Sequence, residues 1–138
     1  MANYIDITSY ILKGGILTLE VYVATIIFSI PLGILGALIK VSSLKILSKA
    51  VDIYTWLFRG TPLLLQLFFT YFGLPIIGIR LSPFAAAALT FSLNYGAYFT
   101  EIFRSGIQSI DKGQYEAAKV LGMSYRQKIG RAHVWTPV

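Results

Sequence analysis

Arg59, Glu101 and Arg104 lie within or beside long apolar stretches, where an ionisable side chain is expensive and usually faces a partner or a water-filled cavity. Two readings stand for them. They form a gate on such a cavity, or helix contacts that change between two conformations. Alternatively they reach the membrane interface, and Glu101 with Arg104 makes a helical ion pair worth about 0.2–0.5 kcal/mol. Uncharged polar groups are the next resource: Gln66, Thr70, Asn94, Tyr95 and Tyr98. Amides and phenols can line a path that binds a small polar molecule weakly, since they offer hydrogen bonds without charge. The same side chains serve in membrane bundles as interhelical contacts worth about 0.6 kcal/mol each.

Covalent chemistry is not expected. The chain has no cysteine and a single histidine, His133, so disulfides, thiolate sites and a metal cluster are excluded. No Ser, His and acid arrangement, phosphate-cradling glycine loop or carboxylate pair is present. No catalytic residue, metal or cofactor is therefore assigned.

The third candidate feature is a short segment from Asp111 to Gly122. Asp111 is placed to accept a hydrogen bond from a helix start, Gln114 stands three residues on as in a capping box, and Gly122 permits a left-handed stop. Ala117, Ala118 and Leu121 fall at helical spacing, with Glu116 at their edge. The alanines allow another surface to approach and Glu116 gives it an orientation. A polar connector helix lying on a membrane has the same caps and apolar stripe, so both readings stand on the residues alone.

The elements that must position these groups are membrane helices. Hydrophobic residues make up 56% of the 138-residue chain and charged ones 13%, and the mean hydropathy is +0.68, far from the soluble norm of about a quarter charged. The net charge of +6 sits between apolar runs rather than on one polar face, which points to membrane topology and not to nucleic acid. Three stretches are expected to span: Ile16 to Ile39, Ile53 to Ile79 with an interruption at Arg59-Gly60-Thr61-Pro62, and Leu81 to Phe103. Pro31 and Gly33 are expected to bend the first. The segment before it lacks a basic start and the run is too long for a cleaved signal. The small residues Ala85 to Ala88, Gly96 and Ala97 let helices approach closely. Lys40, Lys45 and Lys49 follow the first span, and Arg104, Lys112, Lys119, Arg126 and Lys128 follow the third, against Arg80 and Lys13 elsewhere. The positive-inside rule puts the N-terminus outside and the Glu116 segment in the cytoplasm. The expected fold is all-α and integral to the membrane, with three transmembrane helices plus a short cytoplasmic helix over 112–122.

Three blocks, in this order, carry a resemblance: "GGILTL" from Gly14, "RGTPLLLQLFF" from Arg59, and "YFTEIFRSGIQSIDKGQYEAAKVLGMS" from Tyr98. Together they resemble permease subunits of bacterial ABC importers of the polar amino-acid uptake family, and the likeness runs from about Gly14 to Lys128. The resemblance implies a fragment of a five-helix permease fold in the bacterial inner membrane. It further implies pairing with a second permease subunit, identical or homologous, a cytoplasmic ATP-binding subunit dimer and an extracytoplasmic solute-binding protein. On that likeness Glu116, Ala117, Ala118 and Gly122 hold the signature positions of a coupling helix that seats in the ATPase, and Leu121 completes its face. ATP hydrolysis then belongs to the partner. The amino acid carried stays open, since the external binding protein largely sets it. A permease for an opine or an organic sulfur compound is the nearest rival, and a membrane anchor module is the alternative from another class.

The family pattern does not continue through the end of the chain. "IGRAHVWTPV" from Ile129 resembles a translated sequencing adapter, so 129–138 is expected to be foreign and the chain a truncated permease. Trp135 and His133 accordingly carry no functional weight.

Overall fold

The structure is a computed structural model that describes residues 2–122, and for residues 2–6, 112, 114 and 115 the backbone alone. The tail at 129–138, the basic residues Arg126 and Lys128, and the side chain of Gln114 lie outside what is described. Five helical elements follow one another: α1 (Ala2–Val41), α2 (Lys45–Gly60), α3 (Leu63–Phe68), α4 (Pro83–Gln108) and α5 (Lys112–Val120). A π turn (Phe69–Gly73) and a 3-10 turn (Leu74–Ile77) extend α3. The chain divides after Arg104 into two compact units, each taken by itself below.

Among the described residues α1 alone is long and apolar enough, as a single helix, to cross a bilayer. It starts well before the apolar stretch that predicts it and runs through Pro31 without a break. The second apolar stretch is not one rod: α2 and the α3 segment qualify as a span only as a pair, bent by 104°. At 26 residues α4 extends about 39 Å, enough for a hydrocarbon core of about 30 Å. Its Thr, Ser and Asn residues lower its hydropathy, and the structure turns them inward: Thr90, Ser92, Asn94 and Thr100 are all buried.

Burial of so many hydroxyls is tolerable because most satisfy themselves. Thr25 donates to the carbonyl of Val21 at 2.7 Å, Thr90 to Ala86 at 2.7 Å and Thr100 to Gly96 at 2.8 Å, each one turn back along its own helix. What packs across is then small and apolar in effect. Thr25, Ser29, Gly33, Gly36 and Ala37 form one buried face of α1, at helical spacing. The closest approach to α4 comes at Gly33, where a Cβ would collide with Phe99 and its backbone, and at Gly36, where it would collide with Thr100. Gly33, expected to bend α1, is thus the point where α4 crosses it. In the absence of a hydrophobic drive between helices in lipid, such small-residue seams are what allow van der Waals association.

The second unit contains α5, which is capped at both ends. Asp111 accepts a hydrogen bond from the Gly113 amide at 2.8 Å. At the other end the Leu121 amide reaches the Ala117 carbonyl at 3.0 Å and the Gly122 amide reaches Lys119 at 3.1 Å.

Candidate functional site

The bend between α2 and α3 is built from one missing proton. Pro62 has no N–H, so the carbonyl of Phe58, four residues earlier, loses the helical donor it would otherwise receive. Two side-chain amides replace it: Gln66 Nε2 at 2.9 Å and Asn94 Nδ2 at 3.0 Å both donate to Phe58 O. Gln66 Nε2 also reaches Thr61 Oγ1 at 2.7 Å, while Asn94 Nδ2 donates to Gln66 Oε1 at 3.0 Å. Thr61 Oγ1 in turn donates to the Leu57 carbonyl at 2.8 Å. A broken helix at membrane depth needs this kind of satisfaction from its neighbours. Gln66 and Asn94, both candidates for a solute path, are occupied here in closing the break.

Thr70 likewise spends its hydroxyl on its own helix, donating to Gln66 O at 2.9 Å. Gln66 and Thr70 line a largely apolar groove of about 510 Å³ with Leu93 and Thr90. Tyr95 lines another, of about 540 Å³, between α1 and α4 with Thr25 and Ser29. Tyr98 borders neither of these grooves; its ring lies under the Arg59 guanidinium, 5.4 Å from carbon to centroid, a cation–π geometry. The five path candidates are therefore not gathered around one of these cavities.

The three ionic candidates also separate. Arg59 stays on its aromatic partner at an exposed site. Glu101 and Arg104 do pair, with Arg104 Nε at 2.9 Å and Nη2 at 2.7 Å from Glu101 Oε2. They belong to a larger cluster whose centre is Lys40. The Lys40 ammonium, with its side chain only 6% exposed, donates to Glu101 Oε1, to Asp52 Oδ1 at 2.7 Å and to Thr55 Oγ1 at 2.9 Å. All three of its protons are thereby used. Two cations and two carboxylates balance where the end of α1, the middle of α2 and the end of α4 meet. Nearby, Tyr54 donates its phenol hydrogen to the Leu93 carbonyl, tying α2 to α4 a second time.

Lys40 and Asp52 were not singled out by sequence reasoning. Lys40 counts there as one of three lysines that set orientation; of its two carboxylate partners Asp52 belongs to the next helix and Glu101 lies 61 residues away, both beyond the reach of any helical periodicity. The only local sign is position: of those lysines, Lys40 alone adjoins an apolar run directly.

On α5 the Glu116, Ala117 and Leu121 side chains are exposed and Ala118 is half-buried. Val120 is 87% and Leu121 73% exposed, an apolar end that its own unit leaves open. Gly122 has φ +66°, a left-handed conformation that a β-branched residue resists.

Comparison with known proteins follows the same outline. A family model described as the binding-protein-dependent transport system inner membrane component matches residues 29–132. A putative glutamine transport system permease protein of Rickettsia bellii is 47% identical over 115 residues, covering 83% of this chain and 53% of that protein. The arginine transport system permease protein of Bacillus subtilis is 47% identical over 117 residues, covering 84% and 53%. The L-cystine transport system permease protein of the same organism is 39% identical over 122 residues, covering 88% and 52%. The chain spans about half the length of these curated relatives. Among solved structures, the crystal structure of an amino acid ABC transporter with histidines superimposes with a TM-score of 0.82 at 35% identity, over 92% of this chain and 59% of that one.

Proposed function

The chain belongs to the family of binding-protein-dependent transport system inner membrane components, and on that premise we propose that it is the transmembrane permease part of an ATP-driven importer of polar amino acids. The observation that carries this reading is the shared fold with a solved amino acid ABC transporter. The permease forms the path and performs no covalent step; ATP is hydrolysed by a separate pair of cytoplasmic subunits. A second permease subunit and an extracytoplasmic binding protein complete the assembly in the bacterial inner membrane. Relatives of comparable identity are named for glutamine, arginine and cystine, which supports a common path through which the binding protein largely sets the amino acid carried.

Within that assembly α5 is the coupling helix. Glu116, Ala117, Ala118, Leu121 and Gly122 form the surface that enters the ATPase, with the cytoplasm on the α5 side and the N-terminus outside. A passive connector would have the same caps and apolar end; what favours the coupling role is the family match, which runs through this segment. Glu101 acts as a helix contact through its ion pair with Lys40 on α1, and Arg104 holds the same carboxylate from one turn along α4. Arg59 and Tyr98, an exposed pair beside the bend, are the better candidates for a contact that changes during transport.

The test is reconstitution of the full-length permease in proteoliposomes with its ATPase and binding protein. Uptake of a labelled polar amino acid is expected only when ATP and the binding protein are both present. Uptake of equal size without either would overturn the reading, as would an ATP-dependent flux confined to solutes that are not amino acids.

A further inference from the structure

We propose that Lys40 is a positioning residue that, with Asp52, holds the end of α1, the middle of α2 and the end of α4 as one block through the whole transport cycle. The cluster is thus a permanent clamp and not a gate. The role in transport rests on the coupling reading given above, since α5 follows α4 after a link of only three residues, Ser109–Asp111. The clamp itself rests on the geometry of the first unit.

Three observations carry it. First, the Lys40 ammonium has an acceptor for each proton, and the Glu101 carboxylate is engaged at both oxygens, by Lys40 on one and Arg104 on the other. A gate that parted α4 from α1 here would leave an almost fully buried ammonium with only the exposed Asp52, and would take from the Glu101 carboxylate its partner on α1, a costly loss for buried charges. Secondly, the cluster adjoins the close seam between α1 and α4 at Gly33 and Gly36. One turn before Lys40, Gly36 lies against Thr100, the residue preceding Glu101. Separating Lys40 from Glu101 would require opening that seam at the same moment. Thirdly, Tyr54 fixes α2 to the α4 backbone at Leu93, so α2 is held to α4 at two heights.

The consequence for transport is specific. Displacement delivered to the end of α4 passes to α1 and α2 undivided, and internal motion is left to the bend at Thr61-Pro62. Asp52, whose side chain is 60% exposed, is the weaker arm. Lys40, buried and shared by three acceptors, is the one whose loss separates the helices.

These 138 residues hold no cysteine, so paired spin labels are introduced here once any cysteine elsewhere in the transporter has been replaced. Leu35 on α1 and Ile102 on α4, 59% and 57% exposed, serve as label sites in the full-length transporter. In the resting and ATP-trapped states the distance between them is expected to agree within about 2 Å, the scale of ordinary helix shifts. A larger change between the two states would refute the clamp. Lys40→Met, in protein shown to be inserted, is expected to broaden that distance distribution even without nucleotide. It is also expected to cut uptake about tenfold while ATP hydrolysis falls by less than about twofold. Asp52→Asn, made at an exposed carboxylate, should lower uptake by less than Lys40→Met does. An unbroadened distribution in Lys40→Met would overturn the proposal whatever the uptake. If the parental protein shows no ATP-driven uptake, the transport reading fails separately, and the resting-state distances still decide the clamp.

Discussion

Asn94 illustrates how one side chain answers to two descriptions. As part of a path it would touch the solute; as found, its amide donates to Phe58 O and Gln66 Oε1. The two roles separate in kinetics. Asn94→Leu is expected to lower thermal stability by about 0.6–1.7 kcal/mol, the range for interhelical hydrogen bonds in membranes, and to leave the KM for solute near the parental value. A raised KM at unchanged stability would return Asn94 to the path. Gly33 makes the complementary case, because there the constraint is space. Gly33→Leu forces side-chain atoms into Phe99 and its backbone and is expected to cost about 1–3 kcal/mol by overpacking, read as a lower melting temperature in detergent. Glu101→Gln keeps the shape but removes the charge that Lys40 and Arg104 share. It should weaken assembly and transport together, whereas a normal uptake rate would show that the clamp does not need this charge.

At the level of elements, the most direct handle is α5. Ala118 is half-buried and Gly122 is left-handed. Ala118→Trp overfills a site suited to a methyl group, and Gly122→Val places a branched side chain at a positive φ. Both variants should insert normally yet lose the ATPase in detergent pull-downs or fail to stimulate its hydrolysis; parental coupling in both would leave α5 a surface connector. This element was legible in the sequence because its signals are local: Asp111 caps two residues on, and Gly122 closes the turn after Lys119. The bend was half legible. Pro62 announces a break, but nothing in "RGTPLLLQ" tells that Gln66 folds back on Phe58 rather than lining a path, since an amide in an apolar run looks alike in either role. The ionic cluster was illegible for a different reason. Its halves belong to separate helices, and a lysine at the end of a span already has an adequate explanation in topology.

For the whole molecule the decisive measurement is sidedness. Reporters fused after Lys45 and after Gly122 should read as cytoplasmic and one after Ile79 as external, because the basic residues gather beyond the first and third stretches. The reverse pattern would invert the assembly and put α5 out of reach of any ATPase. The Lys40 cluster also imposes an order in time. Asp52, the exposed one of its two carboxylates, follows closely in the chain, but Glu101 is made 61 residues after the ammonium, and ribosomes add roughly 5–20 residues per second, so the nascent chain lacks the buried partner of Lys40 for about 3–12 s. During that interval α1 cannot settle with Lys40 in its final place, and the residue must wait at the water boundary. A chain arrested before Glu101 emerges should therefore react at Lys40 with an amine-directed reagent, and the finished chain should not. Biogenesis, on this account, is paced by the slowest-arriving charge, and a factor that shields the early lysine would be needed most by the chains that are translated most slowly.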